Sequence, residues 1–172
     1  MTAVLYPGTF DPITRGHVDI ARRAARLFDR VIVGVYDTPN KNLLFDTAAR
    51  VDLARGALVE LANVEVVSYT GLTVDFARSV AAVGIVRGLR AFSDFESELQ
   101  MAHQNRALEP GIETICLMTS LEFSFLSSTL LRDIARLGGN VRDLVPANVL
   151  DALRHKFDHG AMADAIPRHL HS

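Results

Sequence analysis

The first residue whose type and position could do chemistry is His17, at the end of the segment PGTFDPITRGH, residues 7–17. Thr14 is of the type that caps a helix N-terminus, which places Gly16 and His17 in the first helical turn. The backbone N–H groups of a first turn have no partners inside the helix, and the helix dipole makes this end positive, so an anion is favoured there. An imidazole at that place can donate a hydrogen bond to a phosphate oxygen. The alternative is that Gly8 merely shapes a turn and that His17 lies at the helix start without a role.

Two arginines flank a glycine in the segment RGLR, residues 87–90. Arg87 and Arg90 directly follow a short apolar run, and Gly88 permits a close approach of the backbone to a ligand. Guanidinium groups bind phosphates through two parallel hydrogen bonds, so this spacing suits a phosphate subsite. The alternative, that both arginines are solvated surface charges, is weakened by their position at the end of a predicted strand.

Two further segments carry groups that favour anions. Lys41, in Asn-Lys-Asn after another apolar run, can act as a mobile positive charge, although a lone loop lysine is usually a surface residue. The segment SFLSSTLLR, residues 124–132, places the hydroxyls of Ser127, Ser128 and Thr129 at a predicted helix start. There they could bind phosphate or could only cap the helix. Four such segments together favour a phosphate-binding site more than any one of them alone.

Strand-like and helix-like segments alternate along the chain. Continuously apolar runs rich in β-branched residues predict strands of a parallel sheet that is covered on both faces. We therefore predict an α/β fold, a single-domain, open, doubly wound (Rossmann-like) five-stranded parallel sheet with helices on both faces. In the last strand, Cys116 is expected to pack inside as a small apolar group. The predicted strands are residues 2–6, 31–36, 64–68, 84–86 and 114–118, and the helices are marked by Ile20, Val51, Leu72, Phe95, Leu130 and the residues after Pro146.

Ligands of open α/β sheets bind beyond the carboxyl ends of the strands, at the point where the strand order reverses. We therefore expect the four anion-favouring segments to meet at one edge of the sheet. The predicted domain covers residues 1–157. Residues 158–172 lack periodicity and are expected to form a loose tail.

The composition disfavours several classes of protein. The 172 residues have a formal net charge of −2 and no block of like charges, which argues against general binding to nucleic acid. The single cysteine rules out a disulfide framework and suits a reducing compartment. No apolar stretch reaches the roughly 18 residues that suggest a membrane-spanning helix. We therefore expect a cytoplasmic protein that binds neither nucleic acid nor a membrane.

Motifs that the sequence lacks narrow the chemistry further. It contains no P-loop motif, no G-x-G-x-x-G after the first strand, no Cys/His cluster with zinc spacing in the sheet loops, and no G-x-S-x-G elbow. What remains is catalysis by positioning phosphates and neutralising their charge, as in phosphoryl and nucleotidyl transfer.

Several segments together resemble a known family. T-x-G-H after the first strand and S-S-T-x-x-R at the last core helix resemble the nucleotidylyltransferase superfamily. The segments YPGTFDPIT, RGLRAFSDFESELQMAHQNR and VPANV are similar to those of the bacterial pantetheine-phosphate adenylyltransferases, and the similarity covers residues 2–157. The sequence departs from that pattern at Ser97, where the family commonly has tyrosine, and at Leu121, where lysine is frequent.

The resemblance implies that the phosphate of 4′-phosphopantetheine attacks the α-phosphorus of ATP directly and in line, with Mg²⁺ assisting. The products would be dephospho-coenzyme A and pyrophosphate, as a step of coenzyme A biosynthesis. It also implies a homohexamer and feedback inhibition by coenzyme A. Two alternatives stay open: an adenylyl- or cytidylyltransferase with another acceptor, such as nicotinamide mononucleotide, and a non-catalytic nucleotide-binding module with the same fold.

Carried over residue by residue, the resemblance assigns catalysis to His17, Lys41 and Arg90, with His17 stabilising the transition state at the α-phosphate. It assigns no metal ligand, because Mg²⁺ is expected to be held mainly by phosphates and water. The residues that would bind the phosphopantetheine are Thr9, Lys41, Thr73 and Arg87, and those that would bind ATP are Thr9, Phe10, His17, Gly88, Leu89, Arg90, Glu98, Phe123, Ser124, Phe125, Leu126, Ser127, Ser128 and Thr129.

Two polar residues before or within the first predicted helix carry further expectations. A helix N-terminus disfavours the imidazolium, so His17 is expected to be neutral in the free protein and to shift toward the charged form when polyphosphate binds. Asp11 is expected to brace its own turn.

Overall fold

Five parallel strands form the centre of the structure, a computed structural model that describes residues 1–39, 42–90 and 92–157. The strands are β1 (Ala3–Gly8), β2 (Arg30–Tyr36), β3 (Val64–Tyr69), β4 (Gly84–Leu89) and β5 (Glu113–Met118). They pair in the order β3-β2-β1-β4-β5. The chain therefore moves outward from β1 to β3 and then returns to place β4 on the other side of β1, which confirms the predicted doubly wound α/β architecture.

Helices follow the strands in the predicted alternation. They are α1 (Arg15–Leu27), α2 (Thr47–Leu58), α3 (Thr73–Ser79), α4 (Phe92–Leu108), a 3₁₀ turn (Leu121–Phe123), α5 (Ser128–Arg136) and α6 (Ala147–Phe157). Among the helices of the described ranges, none combines the length and the apolar character needed to cross a membrane. The predicted loose tail, residues 158–172, lies outside the described residues.

The two central strands β1 and β2 are buried on both faces of the sheet. Val4, Val31 and Val33 belong to a core that includes buried residues of α1, α2, α5 and α6. Leu5 and Ile32 belong to a second core, which includes buried residues of α3. Because successive side chains of a strand point to opposite faces, a strand covered on both sides is apolar at nearly every position. This is why the continuous apolar runs identify these strands.

Two of the strands extend two or three residues beyond their predicted carboxyl ends, and the difference matters for the site. β1 continues to Gly8 and β4 continues to Leu89, so Arg87 and Gly88 lie within a strand and not in a loop after it. The reason is backbone pairing with β5, where Arg87 is opposite Cys116. The apolar run stops before Arg87, but ladder pairing depends on the backbone and continues past that point.

The expectation that Cys116 packs in the interior is wrong, since its side chain is exposed. β5 lies at the edge of the sheet, and its residues are exposed or half-buried along its whole length. The apolar run of β5 therefore marks a strand with a partly uncovered surface.

Candidate active site

A cavity of about 770 Å³ opens at the carboxyl ends of the strands. The segment between β1 and α1, the end of β4, part of α4 and the segment before α5 line it. This is the edge at which the chain reverses its direction across the sheet, where ligands of such folds bind. Most of the predicted site residues line this one cavity: Thr9, Phe10, His17, Thr73, Arg87, Gly88, Arg90, Glu98, Phe123, Leu126, Ser127, Ser128 and Thr129.

Four predicted site residues are not part of the described lining. Leu89 is buried in β4, and the Phe125 side chain is exposed. The hydroxyl of Ser124 donates to the carbonyl of Leu121 at 2.8 Å. Lys41 lies outside the described residues. The division of the lining residues between ATP and an acceptor stays a prediction.

His17 lies in the first turn of α1 and is oriented by the helix cap. Thr14 is the N-cap as predicted, with its hydroxyl oxygen 3.4 Å from the His17 N–H that donates to it. In return, the backbone N–H of Thr14 donates to His17 Nδ1 at 3.0 Å. Because Nδ1 accepts this hydrogen bond, the proton of the neutral ring is on Nε2. Among the described residues, Nε2 has no hydrogen-bond partner, which leaves it as a donor toward the cavity.

The surroundings of the imidazole keep it uncharged. Burial, followed by the positive charges of Arg90 and Arg87, lowers the pKa of His17 to about 4. The expected neutral state is thereby confirmed, although its main cause is burial and not the helix start. The ring of Phe10 packs edge-on against the imidazole with the centroids 5.1 Å apart. The backbone of Phe10 is left-handed, with φ 49°. Its ring lies close to Gly8, and a Cβ atom added at Gly8 would be 2.9 Å from the nearest ring carbon.

Arg87 is held at the cavity wall from two sides. Its Nε and Nη2 donate to the two carboxylate oxygens of Glu98, both at 2.7 Å. Its Nη1 donates to the carbonyl of Pro7 at 3.1 Å. The bidentate pair fixes the plane of the guanidinium group, and it engages both oxygens of Glu98 in the free protein.

Arg90 connects three segments that line the cavity. Its backbone N–H and its Nε donate to one oxygen of Asp94, at 3.2 Å and 3.0 Å. Its Nη1 donates to the carbonyl of Leu126 at 3.0 Å. The guanidinium therefore joins the end of β4, the start of α4 and the segment that leads into α5.

Arg132 lines the same cavity and is not among the residues that the sequence analysis assigns to the site. Its Nη1 donates to the buried carboxylate of Asp11. Asp11 also accepts from the backbone N–H groups of Leu44 and Phe45 at 2.8 Å and 2.9 Å. The expectation that Asp11 braces its own turn is thus wrong, because its partners are remote in sequence. The signal that points to Arg132 is its place in S-S-T-x-x-R.

The three consecutive hydroxyls at the start of α5 have structural partners and also face the cavity. Ser127 is the N-cap and accepts from the N–H of Leu130 at 3.1 Å. The hydroxyl of Ser128 donates to the carbonyl of Pro12 at 2.9 Å. Since both residues and Thr129 line the cavity, capping the helix does not exclude contact with a phosphate.

The end of the cavity near α3 is aromatic. The hydroxyl groups of Tyr69 and Thr73 lie 3.0 Å apart, and Tyr69 stacks on Phe76 with the ring centroids 4.6 Å apart. Tyr36 packs at a tilt against Tyr69, with the centroids 5.3 Å apart. Tyr36 and Tyr69 are not among the site residues predicted from the sequence, although each is the last residue of its strand. This end suits an uncharged part of a ligand.

We predict that His17 stays neutral in the free protein at pH 5.5, because its pKa of about 4 lies well below the ordinary value of 6.5. Imidazole nitrogen chemical shifts in an NMR titration measure this, and the His17→Gln variant identifies the signal by removing it. A His17 signal that titrates near pH 6.5 would contradict the described burial.

The lowered pKa of His17 also makes the stability of the folded protein depend on pH. Between pH 6.5 and pH 4 the unfolded chain binds a proton at position 17 and the folded chain does not, so the free energy of unfolding falls as the pH decreases through this range. This contribution is complete above pH 6.5. In His17→Gln it should be missing, which denaturant unfolding of both proteins across the range will measure.

Comparisons with known proteins agree with this site. Residues 5–134 match the model of the cytidylyltransferase-like family. A phosphopantetheine adenylyltransferase of Chloroflexus aurantiacus is 52% identical over 157 residues, which cover 91% of this chain and 98% of the relative. One of Thermomicrobium roseum is 54% identical, with 89% of this chain and 93% of the relative covered.

A solved structure described as a nicotinate-nucleotide adenylyltransferase of Vibrio parahaemolyticus superposes with a TM-score of 0.71 at 16% identity, covering 93% of this chain and 98% of that one. At this identity the likeness shows the fold alone. The sequence relatives decide the family, since they match over nearly the whole described domain. The chain belongs to the phosphopantetheine adenylyltransferase family of nucleotidylyltransferases.

Proposed function

We propose that the protein transfers the adenylyl group of ATP to 4′-phosphopantetheine. An oxygen of the acceptor phosphate attacks the α-phosphorus in line, the bond between that phosphorus and the oxygen leading to the β-phosphorus breaks, and dephospho-coenzyme A and pyrophosphate are formed. One observation carries the proposal: the neutral donor His17 shares a single cavity with Arg87, Arg90 and Arg132. The names of the relatives support the choice of donor and acceptor.

The geometry supports distinct roles for the two sides of the cavity. His17 suits a place beside the α-phosphate, where its Nε2–H can donate to an oxygen whose negative charge grows in the transition state. Arg90 and the hydroxyls of Ser127 and Ser128 suit the polyphosphate. Arg87 lies on the other side, bound to the carbonyl of Pro7, and suits the phosphate of the acceptor.

The uncharged arm of the acceptor suits the aromatic end of the cavity. Thr73 and Tyr69 offer hydroxyl groups there, and Leu72 and Val74 offer apolar surface. An arm that contains amides and methylene groups finds both kinds of contact in this part of the lining. The phosphate of the acceptor would then lie toward Arg87.

Mg²⁺ is proposed as the companion of ATP. Three carboxylates line the cavity, those of Asp11, Asp94 and Glu98. Each of them already accepts hydrogen bonds from an arginine. Within the described residues, no group of three or more His, Cys, Asp or Glu is placed to hold a metal. Mg²⁺ usually keeps several waters and binds through phosphate oxygens. Bound in this way, it would neutralise part of the charge of the triphosphate.

We also propose inhibition by coenzyme A in this same cavity, because coenzyme A contains both the pantetheine arm and the adenosine of the product. A cytoplasmic location is proposed because the protein has one cysteine and that cysteine is exposed, which suits a reducing compartment.

The homohexamer that the family resemblance implies is proposed here, and the exposed apolar side chains of α4, β5 and the 3₁₀ turn support a subunit interface. Leu99, Phe95, Met118 and Leu121 are 43%, 52%, 65% and 88% exposed. Such groups on one side of a chain are typical of subunit interfaces. Light scattering on the purified protein should give the mass of six chains, and a mass of one chain at micromolar concentration would refute the assembly.

The acceptor is tested directly by measuring pyrophosphate release from ATP and Mg²⁺ with a panel of acceptors. We expect release with 4′-phosphopantetheine. Faster release with nicotinamide mononucleotide would favour the alternative transferase, and ATP binding without release for any acceptor would favour the non-catalytic module.

The role of His17 is tested by His17→Gln. Because the donor acts on charge that develops in the transition state, we expect kcat to fall by about 10²–10³-fold with little change in the Kd for ATP. The matched control is His155→Gln, at an exposed position of α6, which should leave both unchanged. A loss confined to ATP affinity would make His17 a ground-state anchor and not a transition-state donor.

A further inference from the structure

Arg50 of α2 is a fully buried charged residue outside the cavity lining. Its Nη1 donates to the carbonyls of Thr9 and Tyr36, both at 2.8 Å. Its Nη2 donates to the carbonyl of Asp37 at 3.1 Å and to the hydroxyl of Thr47 at 2.8 Å. Its Nε donates to the carbonyl of Phe45 at 3.2 Å. All five N–H groups of the guanidinium are therefore used.

The acceptors of Arg50 are uncharged oxygens, which is unusual for a buried cation. Within the described ranges, the ion pairs of the structure do not include Arg50. Burial lowers the pKa of the guanidinium, and the carboxylates of Asp11, Asp37 and Asp46 offset this only in part. A buried charge without a directly bonded opposite charge is costly, and packing alone would be served equally well by an apolar side chain. Some other requirement is needed to explain a guanidinium at this position.

The hydrogen bonds of Arg50 join three segments of the chain. One is the turn after β1, through Thr9; the second is the end of β2, through Tyr36 and Asp37; the third is the start of α2. Thr9 and Tyr36 both line the cavity. Tyr36 belongs to the aromatic end that suits the acceptor arm, and Thr9 is predicted to contact the acceptor as well as ATP. The residues proposed for the polyphosphate alone, His17, Arg90, Ser127 and Ser128, receive no hydrogen bond from Arg50.

We propose that Arg50 is a positioning residue for the acceptor phosphate. Its planar guanidinium group donates to the carbonyl of Thr9 and to the carbonyls at the end of β2. These hydrogen bonds fix the position of the Thr9 N–H and hydroxyl relative to Arg87. Lysine cannot replace it, because a single ammonium group cannot reach five acceptors arranged around a planar fork. The inference rests on the proposed function, since it assigns one side of the cavity to the acceptor.

The experiment compares Arg50→Lys with the control Arg55→Lys. Arg55 lies on the same helix and also donates to a backbone carbonyl, that of Val66 at 3.3 Å, but its side chain is exposed and outside the lining. For Arg50→Lys we expect the KM for the acceptor to rise by about ten- to a hundredfold and the KM for ATP to rise by a clearly smaller factor, because a small misplacement of a binding group suffices. Arg55→Lys should behave as wild type.

A second pair of variants serves if Arg50→Lys does not fold. Thr47 accepts from Arg50 and donates to the carboxylate of Asp37, so Thr47→Val removes one link of the set, and Thr47→Ser retains the hydroxyl. Thr47→Val should raise the KM for the acceptor selectively, by a smaller factor, and Thr47→Ser should restore wild-type values. Circular dichroism and thermal unfolding establish that each variant is folded.

Several outcomes overturn the inference. Folded Arg50→Lys or Thr47→Val with an unchanged KM for the acceptor would show that the guanidinium has no part in positioning. An equal rise of both KM values would show a general structural role. Failure of the wild type to use phosphopantetheine as acceptor would reject the proposed function itself. The wild-type assay reveals this failure before any variant is compared.

Discussion

The structure has to keep several positive groups close together before any phosphate is bound. Two like charges 4 Å apart repel by about 4 kcal/mol at an effective dielectric constant of 20, so an unbalanced cluster would drive the loops apart. Each cavity arginine is instead paired: Arg87 with Glu98, Arg90 with Asp94, and Arg132 with Asp11. The imidazole of His17 is uncharged beside them. A neighbouring carboxylate thereby holds each guanidinium group in place and offsets its positive charge.

The acidic partners also connect the cavity to the fold. Glu98 and Asp94 belong to α4, whereas Arg87 and Arg90 lie in or directly after β4, so these pairs hold α4 at the edge of the sheet. Asp11 joins the turn after β1 to the segment before α2 and to α5. Adjacent strands β1 and β4 bring these segments together because the chain reverses its direction across the sheet between them. The same contacts that stabilise the sheet edge therefore set the distances between the arginines of the cavity.

Much of the site could be predicted from short segments, because the signals involved are local. Thr14 and His17 are three residues apart, and the capping geometry that orients the imidazole follows from that spacing. What the sequence does not reveal depends on contacts between distant segments. The partners of Asp11 lie 33, 34 and 121 residues away, those of Arg50 reach 41 residues, and β4 extends beyond its apolar run because β5 pairs with it. The exposure of Cys116 escapes prediction for the same reason, since the edge position of β5 is a property of the assembled sheet. The role of Lys41 in the site stays a prediction.

In the proposed reaction the cavity orients both phosphates and stabilises the charge of one direct displacement, with no bond to the protein. The stereochemical course at the α-phosphorus tests this most directly. One diastereomer of adenosine 5′-O-(1-thiotriphosphate) is converted with 4′-phosphopantetheine, and the configuration at phosphorus in the product is determined by ³¹P NMR. A single in-line attack predicts inversion of configuration. Retention would mean two displacements through an adenylylated side chain, and the account would be wrong.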